Sequence, residues 1–271
     1  MTDGLVSIIT SIYNSGRYIG RTIESVQAQT YQNWEMVITD DCSRDDGAEI
    51  VASYAARDSR IKLLKLDCNG GPGVARNNSL KHAEGRYIAF LDSDDSWEPE
   101  KLERQLALMR EKDCGMVYSS YYVCDESNTV TGQVKCLRKV RYWRMVCDNA
   151  IGFLTMMFDR EKTGDELLPV IRKRQDWGLN ILLLKKCRIA YGITEPLATY
   201  KIRPHSVSRD KISLVKYNVA IYREVLGFGK VGSVLMFCFV FMPFYCGKKL
   251  LNIFKTLSFK PSVDRLPSIV L

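Results

Sequence analysis

Histidine is nearly missing from this chain: 271 residues hold only His82 and His205. Nine cysteines are present, but the count is odd and no C-x-x-C pair occurs. These absences argue against a zinc site and against a disulfide framework. The first ten residues, MTDGLVSIIT, carry neither a basic start nor a long apolar stretch. No secretory signal is therefore expected, and a reduced cytoplasmic setting fits best. Acidic residues are scarce in one region only. Residues 201–260 hold eleven Lys or Arg against Asp210 and Glu224, whereas residues 1–200 are close to neutral. The net charge of +8 thus resides in the C-terminal quarter. There the basic residues alternate with a long apolar run, a pattern that suits a lipid surface and not nucleic acid.

What is present is enough for one large domain, or one domain with an appendage. Hydrophobic residues make up 46% and charged residues 26%, ordinary values for a globular chain with a sizeable core. Short apolar runs at 5–10 (LVSIIT), 34–39 (WEMVIT), 61–66 (IKLLKL), 85–92 (GRYIAFLD) and 115–123 (GMVYSSYYV) read as strands. Between them lie stretches with helical spacing: from Tyr18 through Ile19, Ile23 and Val26, around Ile50 to Tyr54, around Val74 to Lys81, and over 98–112 after Pro99. Strand and helix in alternation predict βαβ units and a mainly parallel sheet. Residues 124–170 have weak periodicity and read as loops, short strands and a helix. QDWGLNILLLKK (175–186) is an amphipathic helix, 187–191 and 197–202 read as strands, and a helix is expected over about 214–226.

FLDSDD (90–95) places Asp92, Asp94 and Asp95 at the carboxyl end of a buried strand. Ligands of open α/β sheets bind along that edge. Crowded carboxylates suit Mg²⁺ or Mn²⁺, hard cations that bridge protein acids to substrate phosphates. The plainer reading is an acidic turn, with Asp95 or Ser96 capping the next helix. The neighbouring strand ends add to the first reading. Tyr13 can stack on a base, Asp40 can accept from a base imino group, and Arg76 follows a Gly-rich turn and can reach base or phosphate. Asp92 can hold a ribose hydroxyl and Asp94 a metal on a diphosphate. Each alone has a structural explanation; five at successive strand ends describe a nucleotide site.

The segments VSIITSIYN, SVQAQTYQNWEMVITDDCSRD, NGGPGVARNNSL and GRYIAFLDSDDSWEPEKL resemble glycosyltransferase family 2, tightly over about residues 5–125 and loosely to about 208. The resemblance implies the GT-A fold: α/β, Rossmann-like, a mainly parallel sheet flanked by helices, here with a C-terminal helical basic and apolar tail. It implies a donor nucleotide site at Ser11 (where the family usually has Pro), Tyr13, Asp40, Arg76 and Asp92, with Asp41 as the neighbouring acid. It implies a divalent metal, Mg²⁺ or Mn²⁺, at Asp94 with Asp92 beside it. Asp176 resembles the family's catalytic base, although Gln175 stands where the family has Glu. Arg203 and His205, in RPHSVS, are candidate diphosphate or acceptor contacts, and Trp177 is either an acceptor platform or core.

The expected activity is inverting transfer of a sugar from a nucleotide-sugar, a UDP-sugar by preference, to a saccharide or lipid-linked acceptor in envelope polysaccharide or glycolipid synthesis. The expected organisation is a catalytic domain over 1–210, divided into a donor half (1–125) and an acceptor half (126–210), and a helical tail over 211–271. Within that tail 231–247 is uncharged, flanked by Lys230 and Lys248-Lys249 and interrupted by Pro243. At 1.5 Å per residue it would reach roughly 25 Å, short of a bilayer core. Peripheral attachment to the inner membrane face is expected, with no nucleic-acid partner. The competing classes are a nucleotidyltransferase and a non-catalytic nucleotide-sugar-binding protein of the same fold. The first wants a basic Gly-rich loop directly after the first strand, where TSIYNSGRY stands instead; the second leaves Asp92, Asp94 and Asp176 together without a purpose.

Overall fold

The structure is a computed structural model that describes residues 2–202, 211–257 and 268–270. Its strands are β1 (Thr2–Ile12), β2 (Trp34–Asp40), β3 (Ile61–Lys65), β4 (Gly85–Phe90), β5 (Ser96–Trp97), β6 (Met116–Cys124), β7 (Val130–Lys135), β8 (Lys139–Arg141), β9 (Met157–Asp159), β10 (Ile189–Lys201) and β11 (Ser268–Val270). Its α-helices are α1 (Gly16–Gln27), α2 (Gly47–Ala55), α3 (Pro72–Lys81), α4 (Lys101–Lys112), α5 (Tyr142–Cys147), α6 (Arg160–Thr163), α7 (Gln175–Cys187), α8 (Lys211–Ala220), α9 (Lys230–Met236) and α10 (Met242–Leu257).

The sheet runs in the order β11-β7-β6-β9-β4-β1-β2-β3, with β10 joined to β5, β6 and β8. The expected parallel half is there: β3, β2, β1 and β4 are mutually parallel. Every residue of β2 is buried, as a strand covered on both faces should be. Alternate residues of β1 feed opposite sides. Ile8 packs with Ile19, Ile23 and Val26 of α1 and with Leu102 and Leu106 of α4. Ile9 packs with Leu80 of α3 and lies in one core with Trp177, Tyr222 and Phe241.

Three elements differ from the sequence expectation. The short strands expected in 124–170 are present, and one of them, β9, enters antiparallel between β4 and β6. Only three residues long, it is too short to show a period. The two strands expected at 187–191 and 197–202 are one strand, β10, with irregular register around Pro196, which has no N–H to give a ladder. The helix expected from 98 starts at Lys101, and its N-cap position is Glu100, without a side-chain cap. Neither Asp95 nor Ser96 caps it. Pro243 does not interrupt the C-terminal helix: a wide turn over Phe237–Phe241, in which the Met242 N–H reaches the Phe237 carbonyl, joins α9 to α10. A similar turn, Ile221–Val225, follows α8.

Candidate active site

Parallel pairing brings the ends of β1, β2 and β4 to one edge. Ile12 stands opposite Asp40, and Ile9 opposite Phe90. Tyr13 therefore emerges beside Asp40 and is 49% exposed, free to meet a ligand. Asp40 is buried and its Oδ1 accepts the Ser43 N–H at 3.1 Å. Ser43 Oγ in turn accepts the Asn14 N–H at 3.0 Å, and Asn14 Oδ1 accepts the Arg44 N–H at 2.8 Å. The loops after β1 and β2 are thereby knitted together around Tyr13 and Asp40. Ser11, at the end of β1, is partly buried opposite Thr39.

Asp41 has a sharper role than its place in the motif suggested. Its two carboxylate oxygens accept the N–H groups of Gly70 (2.7 Å) and Gly71 (2.9 Å), and its carbonyl accepts Asn69 Nδ2 at 2.9 Å. The acid is buried and holds the Gly-rich loop to the end of β2. Gly71 lies at φ +84°, a conformation that disfavours any side chain. Next to Asp41, the Cys42 thiol is pushed up by burial and by the charges of Asp41 and Asp40.

The Gly-rich loop starts α3, and α3 ties the site together. Its Arg76 donates to Asp92 Oδ1, and the guanidinium lies 5.0 Å from the centre of the Phe153 ring. Arg76 Nε is buried without a hydrogen-bond partner among the described residues. Asn77 makes reciprocal bonds with the Leu168 backbone, donating to its carbonyl at 2.9 Å and accepting its N–H at 2.8 Å. Gly73 touches Gln175 so closely that a Cβ would come within 2.1 Å of Gln175 Nε2. One short helix thus links the acidic loop after β4 to the start of α7.

The acidic loop is anchored from below. Thr22 Oγ1 of α1 lies 3.0 Å from the Ser93 carbonyl and 2.8 Å from the Asp95 carbonyl, and Ser93 Oγ donates to Ser15 Oγ at 2.8 Å. Asp95, unassigned from the sequence, is buried and accepts the Lys201 N–H at 2.9 Å. It fastens the loop to the end of β10. That leaves Asp92 and Asp94, both partly exposed, as the acids facing outward. Two carboxylates with hard oxygen donors suit Mg²⁺ or Mn²⁺, which is commonly held by one or two protein carboxylates plus substrate phosphates. Among the described residues no three His, Cys, Asp or Glu side chains form an all-protein cage.

Asp176 occupies the first turn of α7, where the helix dipole favours an anion. Its Oδ2 accepts Asn149 Nδ2 at 2.7 Å, and Asn149 Oδ1 accepts Nδ2 of the buried Asn180 at 3.1 Å. Asn149, Asn180, Thr22 and Asn77 were not singled out from the sequence. Each acts through a contact 27 or more residues away, which no local pattern signals. Trp177 resolves to the core reading: it is fully buried, and its Nε1 donates to the Met145 carbonyl at 2.7 Å, so it offers no platform to an acceptor. Arg203 and His205 lie outside the described residues.

The profile of Glycosyl transferase family 2 matches residues 7–164. The chain belongs to that family. It is 41% identical over 222 residues to the putative teichuronic acid biosynthesis glycosyltransferase TuaG of Bacillus subtilis, covering 82% of this chain and 88% of the relative. It is 36% identical over 217 residues to WfgD of Escherichia coli, a UDP-Glc:alpha-D-GlcNAc-diphosphoundecaprenol beta-1,3-glucosyltransferase, covering 80% and 84%. Among solved structures, S. aureus TarS 1-349 in complex with UDP-GlcNAc aligns with a TM-score of 0.67 at 22% identity, over 85% of this chain and 70% of that one. The mannosyltransferase PcManGT of Pyrobaculum calidifontis, in complex with GDP-Man and Mn²⁺, aligns at 0.65 and 14% identity, over 94% and 76%. The fold is GT-A, and the protein is a glycosyltransferase.

Proposed function

We propose that this enzyme moves a sugar from a UDP-sugar to a hydroxyl of a lipid-linked saccharide, with inversion, during envelope polysaccharide synthesis. The observation that carries the reading is the position of α3. It joins the nucleotide loops (Asp41 with Gly70 and Gly71, Arg76 with Asp92) to the α7 terminus that presents Asp176. Donor and base are the two halves that direct transfer requires. The name of TuaG, with teichuronic acid biosynthesis, supports the envelope part, and the name of WfgD, with an alpha-D-GlcNAc-diphosphoundecaprenol substrate, supports the lipid-linked part. The UDP-GlcNAc complex of TarS supports the choice of nucleotide.

In this reading Tyr13 covers the base and Asp40 accepts from it. Asp92 exchanges its bond to Arg76 for a ribose hydroxyl. Arg76, with a buried Nε still unpaired, turns its donors to the diphosphate, where a guanidinium binds well. Asp94, with Asp92, would hold Mg²⁺ or Mn²⁺, which would supply positive charge to offset the negative charge on the departing diphosphate. Asp176 takes the proton of the acceptor hydroxyl as that oxygen attacks the anomeric carbon from the side opposite the nucleotide. The glycosidic oxygen leaves on the diphosphate through an oxocarbenium-like transition state. Asn149 keeps the Asp176 carboxylate turned toward the acceptor. The enzyme works at the cytoplasmic membrane face.

The test offers a panel of nucleotide-sugars with Mn²⁺ and a diphosphoundecaprenol-linked acceptor analogue. Transfer from UDP-sugars is expected, slowed about 10²–10⁴-fold in Asp176→Asn with donor affinity retained. Asp176→Asn with unchanged turnover would overturn the base assignment, and turnover only with another nucleotide would overturn the donor.

A further inference from the structure

The helical run from α9 through α10 has two unlike faces. Ser233 and Phe241 are buried, with Met236 and Phe237 packed against the same core. Phe241 lies 5.5 Å from the Trp177 ring. Near its far end Lys248 Nζ pairs with Asp148 at 2.9 Å, and Phe244 lies 4.9 Å beneath the Arg144 guanidinium. The other face is Val231, Val234, Leu235, Cys238 and Phe239, all exposed, Val231 and Phe239 each at 74%. Positions i, i+3, i+4, i+7 and i+8 make one continuous apolar stripe. Lys230, at one end of it, and Lys249, ten residues beyond Phe239 in α10, are both exposed. A soluble surface seldom carries such a patch without an occupant.

We infer that this stripe docks the enzyme in the plane of an anionic membrane surface, so that Asp176 faces an acceptor anchored in the same leaflet. The charge argues for lipid: residues 201–260 hold eleven Lys or Arg against two acids, and even with Lys201 buried and Lys248 paired to Asp148 the excess suits anionic headgroups. The packing argues for lying and against spanning. The helix Lys230–Lys249, 20 residues, is long and apolar enough to cross a bilayer by length and composition, but a crossing would have to give up Phe241 on Trp177 and Lys248 on Asp148. Two single-residue links join this helix to the base. Trp177, under Phe241, is next to Asp176; Asp148, bound by Lys248, is next to Asn149, which holds Asp176. The inference rests on the reading of Asp176 as base for its orientation, but the docking itself does not.

Purified full chain and a Val231→Ser, Leu235→Ser, Phe239→Ser variant are floated with preformed vesicles of phosphatidylglycerol and phosphatidylcholine. Wild type is expected to float with the anionic vesicles, and the variant to lose binding at least about tenfold, as burying three such side chains implies. Its melting temperature and its slow hydrolysis of UDP-sugar in solution should not change. Vesicles should shield Cys238 from a water-soluble maleimide while the exposed Cys68 still reacts. An epitope appended after Leu271 should be removed by protease added outside the vesicles. Undiminished flotation of the variant overturns the docking face. An epitope protected inside overturns the in-plane arrangement. A wild-type dimer that the variant renders monomeric, with no vesicle binding in either, makes the stripe an interface between copies. Loss of hydrolysis in Asp176→Asn with flotation intact, or its persistence, judges the functional reading separately.

Discussion

Replacing Asp41 by Asn should loosen the Gly-rich loop and weaken donor binding without touching the donor directly. The carboxylate now accepts two backbone N–H groups, from Gly70 at 2.7 Å and Gly71 at 2.9 Å, in a buried position. Bonds to a charged group contribute about 1.5–3 kcal/mol each. Asn keeps one acceptor, as a weaker neutral bond. Its amide then points N–H at N–H on the other side, leaving a buried donor unpaired at about 1–3 kcal/mol. Against one remaining neutral bond of about 0.5–1.5 kcal/mol, the terms add to a loss of at least about 2.5 kcal/mol. The loop starts α3, so the loss should reach Arg76. Urea denaturation measures the stability change, and calorimetric titration with UDP and Mn²⁺ measures the affinity, expected to fall about tenfold for each 1.4 kcal/mol transmitted. A variant within about 0.5 kcal/mol of wild type, as at an ordinary surface site, with unaltered UDP affinity would refute the clamp.

Asp176→Asn should lower kcat by about 10²–10⁴, the range for general-base removal, with donor affinity preserved in titration. Asn149→Ala should lower kcat for transfer with little change in the KM for donor, and Asn149→Gln should restore part of it; equal changes in melting temperature for both variants would mark a merely structural effect. Chelation should abolish transfer and added Mn²⁺ or Mg²⁺ restore it, whereas Asp94→Ala should need far more metal for the same rate. Lys101 is fully buried, with its amine 3.7 Å from the Trp97 ring centre and bonded to Gln105 at 2.7 Å. Burial holds it well below the ordinary 10.5. Below 10.5 the unfolded chain binds a proton that the folded chain resists, so stability should rise with pH until about 10.5. Urea titrations between neutral and alkaline pH should show that rise reduced in Lys101→Met.

The strand ends that carry the proposed donor residues were legible because their signals are local. Apolar runs ending in Asp40 and Asp92, and a Gly-rich turn ahead of Arg76, declare strand ends whatever the rest of the chain does. The fold class followed from the same alternation, and the parallel order of β3, β2, β1 and β4 agrees with it. Less local features could not be read. β9 is three residues inserted antiparallel between β4 and β6, whose paired residues lie about 70 and about 40 residues earlier in sequence. Trp177 stayed undecided because its neighbours Tyr222 and Phe241 come from segments 45 and 64 residues later. Asp95 sits in the same acidic triplet as Asp94. Only the Lys201 N–H, 106 residues on, separates an anchoring acid from an outward one.

Gln175 shows how tertiary contact can account for a departure from the family pattern. The family resemblance leads one to expect Glu before the base. Here Gln175 Nε2 donates to the Ile171 carbonyl at 2.6 Å, while the same side chain packs against Gly73. A carboxylate would have nothing to donate, and would set negative charge against that carbonyl oxygen. The amide therefore closes the turn ahead of α7, where Arg174 adopts φ +68°, and seats the helix on α3. The contact is possible only because residue 73 has no Cβ. Glycine at the start of α3 and glutamine at the start of α7 form one joint, which sets Asp176 relative to Arg76. A change at either position should then act on transfer through the placement of Asp176, the proposed base, even though neither side chain is assigned to the substrate.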